Sequence, residues 1–394
     1  MWRCWIADTR TGQLVAPLDI PSFSWSVSVG DSSLSTTRDK GVGEDEASGL
    51  TLPWGAVPGN SARERSNMLC PDRRMIVLCW DAGDSYGALG TPIVMGVIGD
   101  RRDTVEDTDF SLSSPLQMLS DRYLFREGGF PKGEYAMSGL SYRGLACEVG
   151  WHLTLGKPGG GLPIDWQYRG EKGGQNRTFQ GFDIQNTNGR TILESLANSG
   201  PDMQFRPYIS NNRARWRFLA GSDADLTLGQ DTVHRLAWFR GGGTLDGLTV
   251  DRVGPAQRVL ATGSGLDKAQ LGVMVEDMRL VNNSRDPWPL RELTYSDTDI
   301  NDVNVLKAHA DAVLKANSRP LVQFKGVIHA SDVDGNGVPL HPFGSMWPGE
   351  TVEIAVDGYP SLPDGVYECR LMRMDGDETD AATLTFDVMA DPAA

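Results

Sequence analysis

Phe23, Trp25, Val27 and Val29 alternate with Ser22, Ser24, Ser26 and Ser28, and no other stretch constrains the chain as strongly. A period of two puts every large apolar side chain on one face of an extended strand and every serine on the other. Such a strand needs sheet partners, and several segments qualify. Residues 1–7 and 13–16 flank Thr9-Arg10-Thr11-Gly12, which suits a hairpin turn. Residues 75–80 and 92–98 are apolar runs of strand length separated by the turn-rich Asp81-Ala82-Gly83-Asp84. Between residues 30 and 71 the sequence is rich in Ser, Gly and acids. Only Leu34 and residues 50–54 suggest short strands there, and long exposed loops are expected.

Three segments carry helix chemistry. Ser114-Pro115 places an N-cap before a proline, with Leu116, Leu119 and Tyr123 on one side. Thr191-Ile192-Leu193-Glu194 reads as a capping box, followed by Leu196 and Ala197 and closed by Gly200. Leu306, Ala310, Val313 and Leu314 form a stripe that Asn317-Ser318-Arg319-Pro320 ends. Between the last two, Met203, Phe205 and Ile209, a turn at Ser210-Asn211-Asn212, and then Ala214, Trp216 and Phe218 predict a hairpin packed on the preceding helix. Four more strands are expected at 321–329, 351–356, 366–372 and 383–388, as a small antiparallel sheet or barrel.

Gly and Pro number 46 and 22, which favours turns and a β-rich architecture. At about 150 residues per domain, 394 residues predict two or three domains. The charge of −15 argues against a surface that neutralises phosphates over most of its area. No apolar stretch approaches a membrane span, and the first eight residues lack the apolar core of a signal peptide, so neither leader nor anchor is expected. Cys4, Cys70, Cys79, Cys147 and Cys369 are scattered and odd in number, which predicts reduced, mostly buried thiols.

Chemical motifs are incomplete. Gly156-Lys157 lacks the first glycine and the Ser or Thr of a phosphate loop, and the runs Gly159-Gly160-Gly161 and Gly241-Gly242-Gly243 read as flexible loops. The stretch from Asp332 through Asp334 and Asn336 to Gly337 matches the first half of a calcium loop. Phe343 stands where the bidentate Glu belongs, so a hairpin loop is expected. His152, His234, His309, His329 and His341 show no metal-ligand spacing. Asp223 with Asp225, or Glu350 with Glu353, could be a glycosidase pair, but 52 acids produce such pairs by chance. Trp25 and Trp216 lie on apolar strand faces and read as core. No catalytic, cofactor-binding or metal-ligating residue is assigned, and no cofactor is expected.

The order of parts resembles the siphophage minor tail proteins of the baseplate hub or tail-tip family, whose fold is shared with the hubs of contractile tails. Gly96-Val97-Ile98-Gly99-Asp100 resembles the return strand of that family's first barrel, and the stretch from Ser114 to Arg122 resembles its next helix. Residues 191–219 are similar to its helix-and-hairpin insertion, Gln257-Arg258-Val259-Leu260-Ala261-Thr262-Gly263 to a common hub strand, and residues 306–320 to the helix before the last barrel. Trp347-Pro348-Gly349-Glu350-Thr351-Val352 and Tyr367-Glu368-Cys369-Arg370-Leu371 resemble the paired strands of that barrel, with a Pro-Gly turn before one and an arginine closing the other. Arginine outnumbers lysine 29 to 8, which points to a high-GC coding sequence and a phage of actinobacteria.

The resemblance implies a mainly β fold with an α+β insertion and two small tail-tube-like β-barrels. Residues 1–113 would form the first barrel and 114–235 a mixed α/β insertion, with helices near 115–124 and 191–199 and the hairpin at 202–219. Residues 236–319 would supply connecting strands and a helix over 302–317, and 320–394 the second barrel. It further implies a structural virion protein of the tail tip, made in the host cytoplasm and not an enzyme. A homotrimeric ring would present six barrels and so join the sixfold distal tail to a threefold tip. Its partners would be the distal tail protein, the tape-measure protein and other minor tail proteins. Genome DNA would pass through the lumen without specific binding. The chain ends soon after the last barrel strands, so no C-terminal lysin, peptidase or fibre domain is expected. The alternatives are a peripheral receptor- or carbohydrate-binding tail protein and a cell-wall glycan hydrolase.

Overall fold

Strand alternation decides which face is buried, and pairing decides the architecture. The computed structural model describes residues 1–394 except 37–48, 84–88, 199, 230–231, 266–268, 299, 301, 319–320 and 391–394. β1 (Trp2–Asp8) and β2 (Leu14–Leu18) form the first hairpin; Gly12, with φ of 71°, lets the turn approach the Ala214 carbonyl where a side chain would clash. Then come β3 (Ser24–Ser28), β4 (Ser32–Ser35), β5 (Gly49–Pro53), α1 (Ala62–Met68), β6 (Arg74–Trp80), β7 (Thr91–Asp103) and β8 (Asp107–Ser113). Residues 30–71 therefore hold the two short strands expected and also a helix, α1, capped by the Ser61 side chain. The loop expected over residues 37–48 and the turn residue Asp84 lie outside the described residues.

The next segment mixes helix and strand: α2 (Pro115–Met118), β9 (Glu134–Leu140), α3 (Tyr142–Leu153), β10 (Ile164–Trp166), β11 (Gln175–Gln180), α4 (Gly189–Asn198), β12 (Met203–Ser210) and β13 (Arg213–Ala220). Ser114 caps α2 as predicted, but the helix is short. A single 3-10 turn follows it, after which Arg122 is extended and Tyr123 bridges to Asn188. Asn188, not Thr191, caps α4: its Oδ1 accepts from the Thr191 N–H at 2.9 Å, while Glu194 pairs with Arg190. The hairpin β12–β13 turns on Asn211 and Asn212, both at positive φ, and buries Ala214, Trp216 and Phe218.

The remainder supplies β14 (Val233–Phe239), β15 (Gly242–Gly243), β16 (Asp246–Val253), β17 (Arg258–Thr262), β18 (Gly272–Glu276), β19 (Glu292–Ser296), α5 (Val303–Asn317), β20 (Leu321–His329), β21 (Thr351–Asp357), β22 (Gly365–Asp377) and β23 (Ala381–Ala390). Two glycines of the run read as a flexible loop are thus ordered. Gly242 and Gly243 pair with Phe239 and Trp238, so close to the Ala237 carbonyl that a side chain on Gly243 would not fit. Asp302 caps α5, whose predicted stripe faces the core with Leu306, Ala310 and Leu314 buried and Val313 partly buried; Arg319 and Pro320 of its expected stop lie outside the described residues.

The fold is mainly β, with the α+β portion between two large sheets in sequence. The first sheet runs β2-β1-β6-β7-β8-β5, and the largest runs β15-β14-β21-β22-β23-β20-β16 with β3 and β4 added. The serine-alternating strand β3 pairs with β22, Trp25 opposite Gly376 and Val27 opposite Met374. The thirteen residues of β22 make this possible, since residues 365–370 pair with β21 and residues 373–377 with β3 on the same edge. Where the sheets meet, Trp2, Phe23, Trp25, Trp80 and Phe343 pack with ring centroids 4.9–5.6 Å apart. Cys4, Cys79, Cys147 and Cys369 are buried thiols and Cys70 is partly buried. No described helix is long and apolar enough to cross a membrane.

The chain divides into two compact units, Met1–Gly247 with Gly326–Phe386, and Leu248–Lys325 with Asp387–Met389. In the second, the sheet β18-β17-β19 lays Val259, Ala261 and Val275 on α5.

Three substitutions test these contacts by denaturant unfolding. Asn188→Ala removes the α4 cap and should cost about 1 kcal/mol, whereas Thr191→Ala should cost less. Gly150, inside α3, lies flat against the Trp166 ring, so Gly150→Ala should destabilise by about 1–3 kcal/mol despite alanine's better helix propensity.

Candidate functional site

Glu350 is 6% exposed, and an ionised carboxylate so placed needs partners for both oxygens. The turn Pro348-Gly349 delivers it just before β21, with Gly349 at φ of 97°. β12 brings Arg206 and β14 brings His234 to meet it. Arg206 Nη1 lies 2.9 Å from Oε1, His234 Nε2 lies 2.9 Å from Oε2, and the Trp347 N–H donates to Oε2 at 2.9 Å. The Arg206 guanidinium also stands 5.1 Å from the Trp347 ring and donates to Gln204 Oε1 at 3.1 and 3.2 Å. Gln204 Nε2 in turn reaches the Pro348 and Ser28 carbonyls, each at 3.4 Å.

A second ion pair extends the cluster. Arg370 on β22 binds Asp202 and donates from Nε to the Gly349 carbonyl at 3.3 Å, while Asp202 accepts from the Leu228 N–H at 2.9 Å. The arginine noted as closing its strand thus ties that strand both to the Pro-Gly turn and to the start of the α/β hairpin. Burial alone would push the Glu350 carboxyl up, but His234, Arg206 and the Trp347 amide outweigh it and hold the carboxyl below its ordinary value. Burial, and then His234, hold the His341 imidazole below its ordinary value.

With both Glu350 oxygens engaged from three sides, the cluster is a joint between the hairpin and the C-terminal sheet. Glu353, its candidate catalytic partner, faces solvent and pairs with Arg235 at 3.0 Å. In the other candidate pair, Asp223 accepts from the Tyr142 N–H at the start of α3 at 2.8 Å and Asp225 holds Thr227. In the loop resembling a calcium site, Asp334 accepts from the Val338 and Asn336 amides, which hold its carboxyl below the ordinary value. Phe343, at the position that a bidentate Glu would need, belongs to the aromatic cluster. A cleft of about 580 Å³ opens beside α4, floored by Leu34, Leu116, Leu193, Met203 and Phe205; Arg190 and Glu194 at its rim pair with each other. Glu350 and His234 each stand out in the sequence, but nothing there joins them to one another or to Arg206, since His234 and Arg206 lie 116 and 144 positions from Glu350, beyond any local motif.

No family model and no curated protein sequence matches the chain. Solved structures do. The 43 kDa tail protein of prophage MuSo2 from Shewanella oneidensis matches with a TM-score of 0.50 at 10% identity, covering 98% of this chain and 98% of that one. The tail protein from Neisseria meningitidis MC58 matches with a TM-score of 0.50 at 12% identity, covering 98% of this chain and 96% of that one. The fold is that of phage tail proteins. Both matches run nearly end to end.

Breaking the joint should be costly, because one charge would stay buried without its partner. Glu350→Gln is expected to destabilise the fold by about 3–5 kcal/mol in chemical unfolding. The pH response follows from the depressed carboxyl. The unfolded chain takes up the proton first, near pH 4.3, so the joint's contribution is present above that value and lost as pH falls through the folded-state value. Glu350→Gln should flatten that acid limb of the stability profile.

Proposed function

We propose that the chain is a structural component of a phage tail, a tip or baseplate hub that assembles as a trimeric ring. What carries this reading is a fold shared over nearly the full length with two phage tail proteins, together with a buried polar cluster in which both Glu350 oxygens are engaged. A hub must transmit force and hold register. It gains from charged joints that lock one orientation between segments, and it needs no open site for turnover.

In this reading three copies surround the ejection path, match the sixfold distal tail above and a threefold tip below, and contact the distal tail and tape-measure proteins. A ring of three requires complementary patches on each subunit. The protein is then part of the virion, at the end of the tail, and genome DNA passes through the ring without specific binding.

Light scattering on the purified full chain tests the assembly. A mass near three times 42.9 kDa that persists on dilution, with threefold rings in electron micrographs, is the expected result. A monomer at every concentration, or release of sugar from host cell wall by the protein, would overturn it.

A further inference from the structure

Charge is unevenly distributed along the chain. Residues 114–220 carry thirteen Lys and Arg against nine Asp and Glu, whereas all other positions together carry 24 against 43. The basic excess is focused on one sheet face. Along β13, Arg213, Arg215 and Arg217 alternate with the buried Ala214, Trp216 and Phe218, so three guanidinium groups leave the same side at two-residue intervals. The register puts Arg217 opposite Arg206, Arg215 opposite Tyr208 and Arg213 opposite Ser210 on β12.

Few carboxylates answer them. Asp165 on β10 takes Arg215 and the Tyr208 hydroxyl, and Glu350 takes Arg206. Arg213 and Arg217 are exposed and have no carboxylate partner among the described residues; Arg217 instead stands 4.9 Å from the Tyr208 ring. Glu350 neutralises Arg206 from within the fold, which leaves Arg213 and Arg217, exposed and without a carboxylate among the described residues, as the guanidinium groups of this face that a partner can engage.

We propose that the arginine face of β12–β13 docks onto an acidic surface of a second copy of this chain, in a head-to-tail contact. This rests on the trimeric-hub reading and specifies its interface. Charge complementarity selects the occupant: each copy presents a local basic excess and, over its other residues, an excess of nineteen acids. A twofold contact through this face would set arginines against arginines. A head-to-tail contact sets them against acids and closes into a ring when the rotation per subunit is one third of a turn. Unpaired, solvent-exposed guanidinium groups also steer association, and make it sensitive to salt.

The test compares the full-length wild type with Arg213→Glu/Arg217→Glu by light scattering over a dilution series at low and physiological salt. The expected result is a wild-type trimer that loosens as salt rises, and a variant at least about tenfold weaker in self-association with an unchanged melting transition. Lys172→Glu/Arg177→Glu, a change of equal charge on other exposed residues of the same segment, should keep the wild-type mass. Should the double glutamate variant fail to fold, Arg213→Gln/Arg217→Gln serves the same comparison. A folded variant with wild-type mass and salt dependence overturns the docking surface and leaves the trimer standing, and equal loss in the control pair overturns the assignment to this face. A wild type that stays monomeric overturns both proposals. Labelled duplex DNA bound by the wild type at physiological salt and released by the Arg213/Arg217 variant would overturn it in favour of a nucleic-acid surface.

Discussion

Five aromatic rings hold the two ends of the chain together. Trp2, Phe23, Trp25 and Trp80 come from the first eighty residues and Phe343 from the last sixty, and each touches at least one of the others edge to face or stacked. Aromatic pairs contribute about 0.5–1.5 kcal/mol each beyond their burial, and five rings in one knot compound that. The β3–β22 ladder lies beside it, with Trp25 belonging to both. Once the two large sheets are fixed there, the α/β hairpin can be clamped to the C-terminal one through Arg206, Glu350 and His234.

Much of the secondary structure was legible because local periodicity carries it. The serine-alternating strand, the hairpin at Asn211-Asn212 and the stripe of α5 all lie where period and turn chemistry placed them. What period two cannot supply is a partner. It says that Trp25 and Val27 are buried and nothing about β22, some 350 positions away. α3 went unread although Ser141 caps it and Leu145, Val149 and Leu153 recur at helical spacing. Gly144 and Gly150 obscured the pattern, and both are there for close approach, Gly150 against the Trp166 ring. The α4 cap was misplaced because Asn188 and Thr191 are both good capping residues three positions apart, and only the backbone distinguishes them.

The joint was harder to see for the same reason that it works. In the sequence Glu350 belongs to a strand-leading motif and stands three positions from Glu353, an acid pair of the kind that chance supplies. Its meaning came from Arg206 and His234 on strands far away in sequence. Phe343 made the converse point: as a calcium-loop residue it was a defect, and as a member of the aromatic knot it is a requirement. A position that spoils one motif can be satisfying a packing demand that no short window displays.

The pairing of β3 with β22 also sets an order of events during synthesis. The N-terminal strand emerges early, yet its partner and Phe343 arrive only after more than three hundred further residues, an interval on the order of tens of seconds at ribosomal elongation rates. Until then Trp25 and Val27 have neither their ladder nor their full aromatic surroundings. The first large sheet can pair within itself while the ribosome is still working. Closure of the second, with its long loop entropy, therefore waits for β22, and the nascent chain carries an unsatisfied apolar strand through that whole interval.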